Sequence, residues 1–132
     1  MSERRVQPLR VLIAEDSKPI AEMLSELLAQ QGRVEVVGAA ASETGVVEAI
    51  RDLHPDVVVL DLQLAEGSGT GVIRAVRADP AIAATRILVT SNHVSAPMKA
   101  GCLELGADDF YDKVKELDAL AAKIGEIADA CA

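Results

Sequence analysis

Val57-Val58-Val59-Leu60-Asp61 is the most strongly strand-forming stretch of the chain. Its β-branched and apolar residues would be buried on both faces, as in a parallel strand covered by helices. His54-Pro55 interrupts the chain just before it, because the residue preceding proline is driven out of the helical region. We therefore predict a central parallel strand that ends at Asp61.

On both sides of this strand, short apolar runs alternate with segments of helical periodicity. The predicted strands are Leu9–Ala14, Val34–Ala39, Val57–Leu60, Ile87–Val89 and a short one near Phe110-Tyr111. The predicted helices are one opened by Pro19, one from Ser42 to Leu53, one through Ala78, one from about Ser95 to Leu105 and one from about Glu116 to Ala130. This alternation is typical of an α/β fold with helices on both faces of a parallel sheet.

Local signals set the limits of the first and last helices. Ser17 is a candidate cap before Pro19, and Gly32 is expected to close the first helix. An apolar stripe on the last helix is predicted to be its core face rather than a seam for a partner. Its members are Leu117, Leu120, Ile124, Ile127 and Cys131.

Length and composition exclude several classes of protein. The 132 residues suit one domain, for which we expect a flexible tail at 1–8 and a folded unit at 9–132. A net charge of −8, with one Phe, one Tyr and no Trp, argues against a surface for nucleic acid. The short apolar runs and the absence of a signal-peptide core predict no membrane insertion and a cytoplasmic location, with Cys102 and Cys131 as free thiols.

Five polar residues fall at the carboxyl ends of predicted strands, where open α/β sheets bind their ligands. They are Glu15, Asp16, Asp61, Thr90 and Lys113. Three converging carboxylates would repel one another unless a hard divalent cation such as Mg²⁺ lay between them. A cation, an ammonium and a hydroxyl are also what phosphoryl transfer needs around a carboxylate nucleophile.

Each of these residues has a simpler interpretation when taken alone. Glu15-Asp16 could satisfy a helix N-terminus, Asp61 could be a turn residue, and Thr90 and Lys113 could be a cap and a surface lysine. The Gly67-Ser68-Gly69-Thr70-Gly71 segment lacks the spacing and position of a dinucleotide loop. An aspartyl-phosphate hydrolase would need a general acid where Gln63 stands.

The set as a whole resembles the receiver domain of two-component response regulators, in particular stand-alone chemotaxis-type receivers, from Leu9 to about Ala130. The resemblance is carried by the five polar residues above, with Pro55-Asp56, Gly69 and Gly106-Ala107-Asp108. It implies a flavodoxin-like, doubly wound sheet of five parallel strands in the order 2-1-3-4-5, with five helices.

The resemblance also implies a role for each site residue. Asp61 would accept a phosphoryl group from a histidine kinase or a histidine phosphotransfer protein. Mg²⁺, or Mn²⁺ in its place, would be held by Glu15, Asp16, Asp61 and the carbonyl of Gln63. Lys113 would pair with a phosphoryl oxygen, Thr90 would move towards the phosphoryl group, and Phe110 would turn inward.

Phosphorylation would change the face formed by the fourth helix, fifth strand and fifth helix. There the domain would bind a downstream protein, as a monomer or as a phosphorylation-dependent dimer. It would not otherwise be an enzyme, apart from supporting its own phosphotransfer and slow autodephosphorylation.

The chain departs from the family pattern at three positions. Val114 and Ala65 stand where proline is common, and Phe110 replaces the more usual tyrosine. Gln63 and Asn92 occupy the positions that flank the path of the hydrolytic water. Neither amide can act as a general base, so we expect an aspartyl phosphate that is not exceptionally short-lived.

Three functions remain open at this point. The chain could be a stand-alone receiver, a receiver excised from a longer regulator with its own output domain, or a pseudo-receiver that binds partners without phosphorylation. The intact acceptor set argues against the third function. The end of the chain directly after the fifth helix, with no linker, favours the first function or a chain that was cut at the domain boundary.

Overall fold

The computed structural model describes residues 7–130, in which five strands alternate with five helices. The strands are β1 (Leu9–Ala14), β2 (Val34–Ala40), β3 (Val57–Asp61), β4 (Arg86–Ser91) and β5 (Asp109–Asp112). The helices are α1 (Lys18–Ala29), α2 (Glu43–Leu53), α3 (Gly69–Ala78), α4 (Ala96–Leu105) and α5 (Leu117–Ala130). No helix among the described residues is long and apolar enough to cross a bilayer, and α5 has only 14 residues.

All strand pairs are parallel and the sheet order is β2-β1-β3-β4-β5, as expected. The predicted central strand, β3, is buried along its whole length and lies between β1 and β4. Its register pairs Ala14 with Leu60 and Asp61 with Thr90. The carboxyl ends of β1, β3 and β4 therefore meet at one edge of the sheet.

The sheet divides the interior into two hydrophobic cores. One lies under α2, α3 and α4 and includes Ile50, Ile73 and Phe110. The other lies under α1 and α5 and includes Leu24 and Tyr111. The stripe predicted on the last helix is confirmed as a core face, because its residues Leu120, Ile124 and Ile127 are buried against this second core.

Serine caps begin four of the five helices. The hydroxyl oxygens of Ser17, Ser42, Ser68 and Ser95 each accept a hydrogen bond from the backbone N–H three residues later. Such caps satisfy one of the N–H groups that a helix leaves unpaired at its start. The predicted cap at Ser17, with Pro19 in the first turn, is confirmed.

The structure corrects one detail of the sequence interpretation. Gly32 does not cap α1, which ends at Ala29 with Gln30 as its cap; Gly32 has φ +77° in the turn that leads to β2. Strand β4 ends in Thr90-Ser91, as predicted, and Ser91 pairs with Asp112 of β5. Cys131 and most of the predicted tail lie outside the described residues.

Candidate functional site

The acidic residues predicted to converge do lie together at the carboxyl edge of the sheet. Carboxylate oxygens of Glu15, Asp16 and Asp61 lie within 4.8 Å of one another. Glu15 and Asp16 directly follow β1, and Asp61 ends the adjacent strand β3. Glu15 and Asp61 are buried, whereas Asp16 is exposed, so the group opens to solvent on one side.

Lys113 lies in the loop that follows β5 and contacts two of these three carboxylates. Its Nζ lies 2.8 Å from Oε1 of Glu15 and 2.9 Å from Oδ2 of Asp61. The three side chains are 5%, 1% and 3% exposed, respectively. A backbone hydrogen bond of 2.8 Å from the Lys113 N–H to the carbonyl of Ser91 fixes the loop against the end of β4.

The shifted pKa values of the site come from burial and from this ion pairing. Burial raises the pKa of Glu15, and the neighbouring Asp61 adds to the rise, although Lys113 and the N–H of Ser17 act against it. Burial alone would lower the pKa of Lys113. Its close contacts and charge interactions with Glu15 and Asp61 outweigh burial, and the pKa of Lys113 is raised.

The carboxylates are oriented by nearby backbone groups. The N–H of Ser17 donates to Oε2 of Glu15 at 3.0 Å, and the N–H of Gln63 donates to Oδ1 of Asp61, also at 3.0 Å. Oε1 of Glu15 is fully buried, and its contact with Lys113 is an ion pair without well-aligned hydrogen-bond geometry. With Asp16 included, the group carries two uncompensated negative charges, so these residues fit a hard divalent cation.

The predicted switch loop follows β4. Thr90 is buried beside Asp61 in the sheet register, whereas Asn92 is exposed. No sequence pattern singles out Ser91, whose hydroxyl accepts a hydrogen bond from the N–H of His93 and donates to its carbonyl. These two hydrogen bonds hold residues 91–93, directly after Thr90, in a turn.

Phe110 lies in the core under α2, α3 and α4 and is 3% exposed. Its ring therefore already faces the interior of the domain. Tyr111, the next residue, faces the opposite core and donates its hydroxyl proton to Oδ2 of Asp109 at 2.9 Å. Inward movement of Phe110 upon phosphorylation stays a prediction.

Two of the departures from the family pattern have a structural reason. The N–H of Val114 donates to Oδ1 of Asp112 at 2.7 Å, and the N–H of Ala65 donates to the carbonyl of Ala41 at 3.0 Å. Proline has no N–H and could make neither bond. Hydrogen bonds from the backbone N–H groups of Lys115 and Val114 also lower the pKa of Asp112.

The two histidines take no part in this group. His54 caps α2 with a left-handed backbone at φ +47°, and His93 is exposed in the loop before α4. Within residues 7–130, the acidic group at the sheet edge is the one cluster of ligand-bearing side chains close enough to hold a metal ion.

Comparisons with known proteins agree with this geometry. Residues 11–125 match the family model of the response regulator receiver domain. A protein-glutamate methylesterase/protein-glutamine glutaminase of Myxococcus xanthus is 38% identical over 119 residues, which cover 84% of this chain and 33% of the relative. The chain thus spans about a third of the length of the curated relatives it matches.

Solved structures show the same fold. The receiver domain of the response regulator NarL from Mycobacterium tuberculosis superposes with a TM-score of 0.84 at 28% identity, covering 93% of this chain and 98% of that one. The response regulator domain of Thermotoga maritima CheB gives a TM-score of 0.81 at 24% identity, with coverage of 93% and 98%. Sequence, sheet order and site geometry together show that the chain belongs to the response regulator receiver domains of two-component signal transduction.

Proposed function

We propose that this receiver is a phospho-acceptor in which Asp61 takes a phosphoryl group from the phosphohistidine of a histidine kinase or a histidine phosphotransfer protein. The observation that carries the proposal is the buried ammonium of Lys113 between Glu15 and Asp61, at 2.8 and 2.9 Å. A buried ammonium in this position can compensate the negative charge of a phosphoryl group on Asp61.

The transfer would be a displacement at phosphorus. A carboxylate oxygen of Asp61 forms the new P–O bond while the P–N bond of the phosphohistidine breaks, and the bonding pair leaves with the imidazole nitrogen. The ammonium of Lys113, which now contacts the Asp61 carboxylate, would then contact a phosphoryl oxygen. Little else is required of the protein, because such transfers depend on alignment and on stabilisation of charge.

Glu15, Asp16, Asp61 and the carbonyl of Gln63 would hold Mg²⁺, or Mn²⁺ in its place. The buried Oε1 of Glu15, whose ion pair with Lys113 lacks well-aligned hydrogen-bond geometry, and the two excess negative charges support this assignment. A divalent cation there would neutralise the phosphoryl oxygens as the donor approaches.

The response would begin at Thr90 and Phe110 and be displayed on the face of α4, β5 and α5. Two large apolar side chains beside the switch loop and on α4 support a binding role, since Val94 is 44% and Leu103 is 40% exposed. A downstream protein or a second receiver would bind there once phosphorylation has shifted the loop. The exposed amides of Gln63 and Asn92 cannot act as general bases towards the hydrolytic water, which favours slow autodephosphorylation.

Incubation with acetyl phosphate and Mg²⁺, followed by intact-mass measurement, tests the proposal. We expect an adduct of about 80 Da, the mass of a phosphoryl group. Asp61→Asn should abolish it, because the amide lacks the nucleophilic carboxylate. Asp52→Asn, at an exposed position on α2, serves as the control and should be phosphorylated like the unaltered protein.

An adduct that persists in Asp61→Asn would place the acceptor elsewhere. No adduct on the unaltered protein would favour a pseudo-receiver that binds partners without phosphorylation.

A receiver that controls a separate output domain is the second candidate. The match to only 33% of a methylesterase relative supports it, because the rest of that relative has no counterpart in these residues. In that case phosphorylation should change binding of the receiver to an output domain rather than to a free partner. Titration of the phosphorylated and unphosphorylated protein with isolated output domains of the methylesterase relatives, by calorimetry, separates the two candidates.

A further inference from the structure

The loop between β3 and α3, residues 62–68, is tied to the start of α2 at three points. The N–H of Ala65 donates to the carbonyl of Ala41 at 3.0 Å, and the N–H of Glu43 donates to the carbonyl of Glu66 at 2.8 Å. The third bond joins a side chain to the loop, from the N–H of Ser68 to Oε1 of Glu43 at 2.9 Å.

Glu43 reaches this position because two glycines leave room for it. A Cβ on Gly67 or on Gly71 would overlap the Glu43 side chain. Gly67 also has φ +85°, which other residues rarely adopt. The glycine-rich segment at residues 67–71 therefore makes space for a carboxylate from α2.

The bond to Ser68 leads directly to the phospho-acceptor site. Ser68 and Gln63 form an isolated antiparallel bridge across the loop, and the N–H of Gln63 donates to Oδ1 of Asp61. The Glu43 carboxylate lies at the N-terminus of α3, where a negative charge is favoured. Glu43 thus holds Ser68, which pairs across the loop with Gln63, the residue whose carbonyl would face the cation.

We propose that Glu43 is a positioning residue for the cation site, acting through Ser68 and Gln63 on the loop that follows Asp61. The inference rests on the proposed function, since it assigns the Gln63 carbonyl to the cation. Ala65 also helps to hold this loop, because its N–H donates a hydrogen bond to the carbonyl of Ala41 that a proline at this position could not make.

The test compares Mn²⁺ binding and loop protection in four single variants and one double variant. Free Mn²⁺ is measured by electron paramagnetic resonance, and protection of residues 62–68 by hydrogen exchange. Replacing outer partners of metal ligands typically costs about 10- to 100-fold in affinity. Glu43→Ala should cost less, about three- to tenfold, since two backbone ties remain. It should also raise exchange at the Ser68 N–H.

Glu43→Gln keeps an acceptor oxygen for Ser68 and should restore most of both properties. Glu48→Ala, an exposed position on the same helix, should change neither. Gly71→Ala should weaken Mn²⁺ binding by displacing Glu43, but should have no such effect once Glu43 is alanine. A merely structural role for Glu43 would change exchange at residues 62–68 without changing the affinity for Mn²⁺.

Failure of the inference and failure of the proposed function give different results. Mn²⁺ affinity that is unchanged in Glu43→Ala overturns the inference and leaves the proposed function standing. Unchanged exchange at residues 62–68 also overturns it, whatever the metal does. Failure of the unaltered protein to bind Mn²⁺ overturns the proposed function, and the inference falls with it.

Discussion

Lys113 is a buried cation that faces two buried carboxylates, those of Glu15 and Asp61. Removal of one member of such a group leaves its partners charged and desolvated, which is more costly than the loss of a surface ion pair. The stability of the unphosphorylated protein therefore depends on a residue that would also serve the transfer reaction.

Lys113→Met should lower the free energy of unfolding by about 3 kcal/mol at pH 7, because Glu15 and Asp61 lose their counter-charge. Urea denaturation followed by far-UV circular dichroism measures this, since the chain has no tryptophan. The loss should shrink as the pH falls, since protonation of Glu15, whose pKa is raised by burial, removes one uncompensated charge.

Lys115→Met is the matched control for that substitution. Lys115 is exposed two residues further along the same loop, and its removal should change stability by less than about 0.5 kcal/mol. Equal stability of Lys113→Met and the unaltered protein would show that the carboxylates do not need the ammonium.

Helices α2 and α3 are joined at both ends. Glu43 and Ser68 join their N-terminal ends, and Arg51 and Asp79 join their C-terminal ends through a contact of 3.1 Å. A hydrogen bond from the Ala81 N–H and the contact with Arg51 lower the pKa of Asp79. A lowered pKa means that the folded protein favours the ionised carboxylate.

Asp79→Asn should therefore reduce stability at neutral pH. The contribution of Asp79 is fully present above the ordinary aspartate pKa, near 3.8, and is lost as the pH falls through its lower value in the folded protein. Urea midpoints of the two proteins should differ at pH 7 and converge in acid. Asp52→Asn is the control, and a difference that persists in acid would contradict the assignment.

The elements that sequence predicts best are those with one dominant signal. Strand β3 is apolar throughout, and its neighbours follow from the alternation of strands with helices. Convergence of Glu15, Asp16 and Asp61 also follows from sequence, because parallel strands present their carboxyl ends at one edge. The serine cap of α1 is equally local and equally predictable.

Features that depend on contacts between distant segments are not visible in the sequence. Nothing near Glu43 in the chain indicates that its carboxylate meets Ser68, 25 residues later. The sequence argues against a dinucleotide loop at the glycines 67 and 71, but it does not show that they make room for Glu43. Local preference alone predicts a cap at Gly32, whereas α1 ends three residues earlier.

For the protein as a whole, the proposed cation site would couple ligand binding to stability. The folded protein keeps the carboxylates of Glu15, Asp16 and Asp61 close together, and a bound Mg²⁺ would relieve their repulsion. Any ligand that binds only the folded state raises the free energy of unfolding by mass action.

Mg²⁺ should stabilise the protein by about 2.7 kcal/mol at a concentration one hundred times its dissociation constant. Thermal unfolding at increasing Mg²⁺ measures this rise. Asp16→Ala should remove most of it, whereas Asp118→Ala, exposed on α5, should leave the dependence on Mg²⁺ unchanged. A midpoint that does not depend on Mg²⁺ in the unaltered protein would argue against the site.

Two consecutive residues of β5 belong to different halves of the interior, Phe110 to the core under α2–α4 and Tyr111 to the core under α1 and α5. The sheet between them acts as a partition. Substitutions in one core should therefore disturb the other core less than their own. The residues of the two cores could then vary separately during evolution, except along β5, which contributes to both.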